Sequence, residues 1–305
     1  MSDHPEGAIS PGRGSEAERL DALLGPIDWS TLPAGAVRDG VPAPSGVLAR
    51  AWIGPVDGPR VLLVPGASGS KEDFALMLPL LAVEGYRVEA FDLAGQYESG
   101  AAGPENLDPP GRRYTLELFV DDLIAVLEAG SAPAHVLGYS FAGIVAAEAA
   151  IRRPELFASL TLLTCPPIAG QALRGFRILG PLSPFVSGRA LGPVFVAALR
   201  LNVHRAPRDR ARFVAARFDR TRTSSIGDIL GLLKRVPDFA EPLRATGIPL
   251  LVVIGSRDLW RTEAHRAFAA RLGARLVVLP AGHSPCETAP HQLTEAMREL
   301  FRDRG

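Results

Sequence analysis

The chain has 305 residues, enough for one large α/β domain or for a domain with an insertion, and 47% of them are hydrophobic against 22% charged. This balance is typical of a globular protein and excludes a disordered or fibrous one. The formal net charge is zero, so charge gives no indication of nucleic-acid binding, and the two cysteines, Cys165 and Cys286, exclude a disulfide framework.

The N-terminal residues show neither the basic segment nor the apolar segment of a signal peptide. Apolar runs such as 194–199 are far shorter than the roughly 20 residues that cross a bilayer. Together with the low cysteine content, these features predict a cytoplasmic protein without membrane or nucleic-acid partners. Residues 1–35 are predicted as an N-terminal extension, disordered over 1–14 and followed by a short helix in 15–26, where Ser15 and Glu18 form a capping box.

From about residue 36, short apolar segments alternate with amphipathic helical patterns. Because these segments are apolar on both faces, they predict an α/β fold with a mostly parallel sheet covered by helices on both sides. Strands are predicted at 47–54, 60–66, 87–93, 134–138, 159–165, 249–255 and 275–282, and helices at 71–85, 115–130, 141–152, 261–272 and 290–302.

Residues 166–247 interrupt this alternation with helical stretches and no strand pattern. A structureless loop of that length is implausible within a compact domain, so we predict a helical cap over the carboxyl edge of the sheet. The core then comprises residues 36–165 and 248–305. The predicted cap contains 14 Arg and Lys against 5 Asp and Glu, a net charge of +9 that the remainder balances. Two interpretations stay open. The basic residues lie on solvated helix faces, or they produce a field that attracts an anionic or carrier-bound substrate.

Ser140 lies in the sequence GYSFAG, between a predicted strand and a predicted helix. A nucleophilic serine on a sharp turn needs small residues two positions away on each side, and Gly138 and Ala142 meet that need. A structural turn is the alternative interpretation. The hydroxyl also requires a base and an orienting acid. His283 follows the last predicted strand, and Asp258 follows the strand before it, so both are expected at the carboxyl edge.

Two backbone amides are needed to stabilise the oxyanion of an acyl-transfer intermediate. Phe141, directly after Ser140, is predicted to provide one of them. The glycine-rich loop PGASGS after the strand at 60–66 is predicted to provide the other, with Ala67 as the donor. An ordinary tight turn is the alternative interpretation of this loop.

The motifs VPGASGS, GYSFAG, GSRD and AGHSPCETAP, in this order and spacing, resemble those of the α/β-hydrolase superfamily over about residues 40–165 and 248–305. The resemblance implies an α/β-hydrolase fold with a helical cap, acyl-enzyme chemistry, Ser140 as nucleophile, His283 as base and Asp258 as orienting acid. A serine nucleophile argues against a haloalkane dehalogenase or an epoxide hydrolase. This sequence departs from the family pattern at three places. Pro65 stands where many members have histidine, Gln96-Tyr97 replace a glycine region, and Ala142 replaces a glycine at the serine turn.

These observations predict a serine hydrolase that acts on a small ester or thioester. Carbon–carbon bond hydrolysis and cofactor-free perhydrolysis use the same triad and stay open as alternatives, as does a ligand-binding protein with slow turnover. An aminopeptidase would need carboxylates in the cap to hold the α-amino group of its substrate. Asp238 and Glu241 are candidates, but the net positive charge of the cap argues against this function. The sequence contains no P-loop, dinucleotide fingerprint or spaced cluster of metal ligands, so it predicts no cofactor and no metal, and the oligomeric state stays open.

Overall fold

The computed structural model describes residues 15–175 and 207–302, together with residue 197. Eight strands of these residues form one sheet. They are β1 (Val37–Ala43), β2 (Gly46–Ile53), β3 (Arg60–Val64), β4 (Arg87–Phe91), β5 (Ala134–Tyr139), β6 (Phe157–Leu163), β7 (Leu250–Gly255) and β8 (Arg275–Leu279).

The strand order is β1-β2-β4-β3-β5-β6-β7-β8. The pairs β1–β2 and β2–β4 are antiparallel, and the other pairs are parallel. From β3 the chain passes to β4 on one side and then crosses to β5 on the other. The connections after β3 and β5 therefore run in opposite directions from the carboxyl edge, which is where open α/β sheets bind ligands.

Helices cover both faces of the sheet, because neighbouring residues of a strand point to opposite sides. In β3, Leu62 and Val64 join one buried cluster, and Val61 and Leu63 join the other. The helices are α1 (Glu16–Ala22), α2 (Met77–Ala82), α3 (Leu116–Glu128), α4 (Phe141–Arg152), α5 (Arg208–Arg220), α6 (Thr223–Leu232), α7 (Ala240–Ala245), α8 (Thr262–Leu272), α9 (Pro285–Thr288) and α10 (Pro290–Arg302).

The first cluster packs α3 and α4 against the sheet, and the second packs α2 and α10 against the opposite face. The predicted mostly parallel sheet with helices on both faces is confirmed. None of the helices within the described ranges combines the length and the apolar character that crossing a bilayer requires.

One local prediction was wrong, and one strand was not predicted. The single helix expected over 71–85 is divided into a 3-10 turn, Lys71–Phe74, and α2. The charged residues of this turn are buried rather than solvated, and the backbone amide and ammonium of Lys71 both bind the Asp92 carboxylate. Strand β1 was missed because its residues, VRDGVPA, are mostly exposed and lack an alternating apolar pattern. It forms by pairing with β2 along its whole length.

The N-terminal helix α1 packs against α10 of its own chain, and Ser15 Oγ caps it by accepting from the Glu18 amide at 3.1 Å. The predicted disorder of 1–14 lies outside the described residues. Three helices, α5 to α7, lie in the described part of the predicted cap, whose residues 176–196 and 198–206 also lie outside. The division into extension, core and cap stays a prediction.

Candidate active site

Ser140 occupies a tight turn between β5 and α4. Its φ of 54° and ψ of −116° place it in a backbone conformation that residues other than glycine rarely adopt. The turn depends on Gly138, where an added Cβ would lie 2.6 Å from the carbonyl oxygen of Ala142. The Ser140 amide donates to the Leu163 carbonyl at 2.8 Å, which ties the turn to the end of β6. The strained backbone at Ser140 is therefore held in place by β5, which it follows, and by β6, to which its amide is hydrogen-bonded.

The structure brings Ser140, His283 and Asp258 together, although they are far apart in sequence. His283 Nε2 lies 3.1 Å from Ser140 Oγ, and His283 Nδ1 lies 2.5 Å from Asp258 Oδ1. Ser140 and His283 are partly exposed, whereas Asp258 is buried. The hydroxyl and the imidazole are thus accessible to a ligand, while the carboxylate is shielded from water.

Asp258 also binds a second histidine, which sequence reasoning missed. His265 on α8 is fully buried, and its Nε2 lies 2.8 Å from Asp258 Oδ2. Burial by itself would raise the pKa of the Asp258 carboxyl, but the hydrogen bonds from His265 and His283 hold that pKa below its usual 3.8. The carboxylate therefore stays ionised at neutral pH. No local pattern marks this contact, because Asp258 lies on the loop after β7 and His265 lies within α8.

The loops that carry Asp258 and His283 pack directly on each other. An added Cβ at Gly255, the last residue of β7, would lie 1.9 Å from the carbonyl oxygen of Gly282. Thr164, after β6, donates its hydroxyl to the His283 carbonyl at 3.1 Å. Close backbone approach and a side-chain hydrogen bond together fix the position of the histidine loop.

Strained backbone is concentrated around this site. Within the described residues, four residues other than glycine have positive φ, and each follows one of the adjacent strands β4, β3, β5 and β6. Such conformations cost of order 1–3 kcal/mol each and are common at functional sites. The four residues are Ser68, Tyr97, Ser140 and Thr164.

Ala67, the predicted oxyanion donor, lies in the loop after β3, beside the serine turn. A Cβ added at the preceding Gly66 would lie 3.0 Å from Ser140 Cβ, so the loop backbone approaches the serine closely. Phe141, the other predicted donor, is the first residue of α4. The first amides of a helix have no acceptor within the helix, so they are available to an anion.

Arginines of the predicted cap pair with carboxylates of the body. Arg210 and Arg217 of α5 both bind Asp73 at 2.6 Å, and all three side chains are buried. Four arginines in the described part of the predicted cap are therefore paired with carboxylates of the body. The other described pairs are Arg210–Glu287 at 2.7 Å, Arg220–Glu98 at 3.6 Å and Arg222–Glu105 at 2.5 Å.

Cys286 and Asp238 do not belong to the hydrogen-bonded group formed by Ser140, His283 and Asp258. Cys286 is fully buried, and burial raises the pKa of its thiol well above the usual 9.0. Asp238, the candidate for holding an α-amino group, instead pairs with Arg271 at 2.7 Å on the surface. Among residues 15–175 and 207–302, no group of three or more His, Cys, Asp or Glu side chains is arranged to hold a metal ion.

Comparison with known proteins adds both sequence and structural relatives. A strigolactone esterase of Arabidopsis thaliana is 32% identical over 112 residues, 36% of this chain and 40% of that protein. A pimeloyl-[acyl-carrier protein] methyl ester esterase of Aeromonas hydrophila is 27% identical over 80% of this chain and 95% of its own length. The chain spans only 38 to 40% of the length of three curated relatives that it matches.

The fold is shared with solved structures of low sequence identity. A thermophilic esterase from Thermogutta terrifontis superposes with a TM-score of 0.65 at 22% identity, covering 88% of this chain and 98% of that one. The profile of the alpha/beta hydrolase family matches residues 61–296, which include the serine turn and both loops that carry Asp258 and His283. The chain belongs to the alpha/beta hydrolase family.

Proposed function

We propose that this protein is a serine hydrolase that cleaves a carboxylic ester or thioester through a covalent acyl-enzyme. The observation that carries the proposal is the hydrogen-bonded chain from Ser140 Oγ through His283 to Asp258, with distances of 3.1 and 2.5 Å. A serine hydroxyl is a weak nucleophile until an adjacent base takes its proton. This chain of side chains supplies both the base and the carboxylate that orients it.

In the acylation step, His283 Nε2 removes the proton from Ser140 Oγ as that oxygen attacks the substrate carbonyl carbon. Asp258 holds the proton on His283 Nδ1 and stabilises the imidazolium that forms. The bond to the leaving alkoxide or thiolate then breaks, and His283 returns the proton to that group. The acyl group remains as an ester of Ser140.

The negative charge on the former carbonyl oxygen requires donors beside Ser140. Phe141 is the first residue of α4, so its amide lies at the positive end of the helix dipole. The amide of Ala67 follows Gly66, whose Cα faces Ser140. We assign both amides to the oxyanion, and they act only as charge develops, which lowers the barrier to acyl transfer.

In the deacylation step, His283 removes a proton from a water molecule, which attacks the acyl carbon. The tetrahedral intermediate collapses, Ser140 Oγ takes back a proton from His283, and the carboxylic acid leaves. The same side chains serve both steps, so no cofactor enters this mechanism.

The substrate class in this proposal covers small esters, thioesters and esters attached to a carrier protein. The relative from Aeromonas hydrophila, aligned over most of both chains, is named for an ester carried by an acyl-carrier protein. The pairing of cap arginines with Asp73, Glu287, Glu98 and Glu105 argues against a cap field dedicated to anions.

The test is covalent labelling with a fluorophosphonate, followed by intact mass measurement and hydrolysis assays with p-nitrophenyl esters. We expect one label per wild-type chain and none on Ser140→Ala. Ser131→Ala is the matched control, because Ser131 is exposed on the loop before β5, whereas Ser140 follows the other end of that strand. It should label and turn over like the wild type.

Unlabelled, well-folded wild type would overturn the proposal and favour a ligand-binding protein with slow turnover. Labelling with full activity in Ser140→Ala would also overturn it. Carbon–carbon bond hydrolysis and perhydrolysis share the triad, and product analysis with a diketone or with hydrogen peroxide distinguishes them from ester cleavage.

A further inference from the structure

Asp258 is shared between two histidines, and only one of them contacts Ser140. His283 binds Oδ1 of the carboxylate at 2.5 Å, and His265 binds Oδ2 at 2.8 Å. The mechanism proposed above uses the first histidine alone. The second is fully buried on α8, and its hydrogen bond to the carboxylate offsets the cost of burying its Nε2–H group.

The hydrogen-bond pattern assigns the tautomer of His265. Its Nε2 faces the carboxylate and must carry a hydrogen to donate, while its Nδ1 is buried with no partner among the described residues. A hydrogen on Nδ1 would have no acceptor there, whereas a hydrogen on Nε2 meets the carboxylate. His265 is therefore a donor to Asp258 through Nε2.

We infer that His265 is a positioning residue for the triad, which fixes the Asp258 carboxylate so that Oδ1 faces His283. A carboxylate held at one oxygen only can rotate about its Cβ–Cγ bond, and rotation would lengthen the contact that orients the base. The hydrogen bond from His265 to Oδ2 opposes that rotation. This inference rests on the proposed function of Ser140, His283 and Asp258.

The surroundings of His265 make its ring a rigid support. The ring of Trp260 packs edge-on against His265, with centroids 6.3 Å apart, and tilts against His283 at 5.8 Å. The indole nitrogen of Trp260 donates to the Ala172 carbonyl at 3.0 Å, which fixes the indole in turn. Both histidine rings are thus packed against one anchored aromatic side chain, on either side of the carboxylate.

The experiment compares two substitutions of similar size in the full chain. His265→Gln keeps an N–H donor at about the reach of Nε2, and His265→Leu removes the donor. His135→Leu is the control, because it removes a partly buried histidine from the opposite end of a strand, away from the candidate active site. For each variant, circular dichroism checks the fold, and kcat, KM and the fluorophosphonate labelling rate are measured on folded protein.

We expect His265→Leu to lower kcat and the labelling rate by about tenfold, the scale of the loss when hydrogen bonds that orient metal-ligating side chains are removed. KM should change little, because His265 does not contact the substrate. His265→Gln should recover most of the loss, and His135→Leu should match the wild type in kcat.

Equal kcat in wild type and His265→Leu would overturn this inference while leaving the proposed function standing. Equal losses in the Leu and Gln variants would overturn it as well, since the donor would then be irrelevant. Failure of wild-type Ser140 to react would instead remove the proposed function and this inference together.

Discussion

Arg210 and Asp73 form a buried ion pair at 2.6 Å that joins helix α5 to the 3-10 turn after the Ala67 loop. Arg217, about two turns further along the same face of α5, binds the same carboxylate oxygen at 2.6 Å. The two guanidinium groups hold the pKa of Asp73 below its usual value, although burial alone would raise it. One carboxylate therefore anchors this helix beside the candidate active site.

Asp73→Asn should destabilise the protein by about 3 kcal/mol, because it leaves two buried arginines with too little negative charge. Urea unfolding followed by circular dichroism measures this change. The exposed Asp57→Asn, on the turn before β3, is the matched control and should stay within about 0.5 kcal/mol of the wild type. A similar free energy of unfolding in both variants would contradict the anchoring role.

Gly138→Ala should abolish hydrolysis and lower stability, because its Cβ would lie 2.6 Å from the Ala142 carbonyl oxygen and would force the serine turn open. Gly231→Ala is the control, since nothing lies within 4 Å of a Cβ at that position on α6. It should stabilise the protein by up to about 1 kcal/mol through helix propensity. Fluorophosphonate labelling measures the reactivity of Ser140 in both variants, and thermal unfolding measures their stability. Normal labelling of Gly138→Ala would contradict the steric argument.

His135 should make stability depend on pH between about 6.5 and 4. Burial lowers the pKa of this histidine from 6.5 to about 4 in the folded protein, where its ring stacks on Phe301 with centroids 3.9 Å apart. The unfolded chain therefore binds the proton more readily, so stability is fully present above pH 6.5 and falls as the pH decreases.

The variant His135→Gln lacks this titration, so its free energy of unfolding should fall less between pH 7 and pH 5. The difference should be on the order of 1 kcal/mol, after allowance for partial exposure of the ring to solvent. Urea unfolding at both pH values measures it. Parallel pH dependence in the two proteins would show that His135 does not carry this effect.

Asp21→Ala should release α1 from the body. The Asp21 carboxylate accepts hydrogen bonds from the backbone amides of His291 and Gln292, at 2.9 and 3.1 Å, in the first turn of α10. Capping of a helix by a carboxylate is worth about 1 kcal/mol. Trypsin should cut after the exposed Arg19 faster in this variant than in the wild type or in Glu16→Ala, which loses only a surface ion pair. Equal cleavage rates would mean that Asp21 does not hold α1.

Much of this architecture was predictable from local sequence. The segments at 60–66, 134–138 and 249–255 are apolar on both faces, and such strands are stable only inside a covered parallel sheet. The predicted Ser140, Asp258 and His283 each follow such a strand, and the carboxyl ends of parallel strands meet at one edge. The family and the fold are confirmed by the match over residues 61–296, whereas the roles of these three residues stay proposals.

Tertiary structure decided what depends on contacts between distant residues. Strand β1 exists through its pairing with β2, and the charged residues that begin the segment 71–85 are buried by distant partners, as Lys71 is by Asp92. The contact of His265 with Asp258 also depends on how α8 packs beneath the loop after β7, which no local pattern specifies. Local propensity and hydrophobic period determine elements and edges, but the partner of a buried polar group is selected by packing in three dimensions.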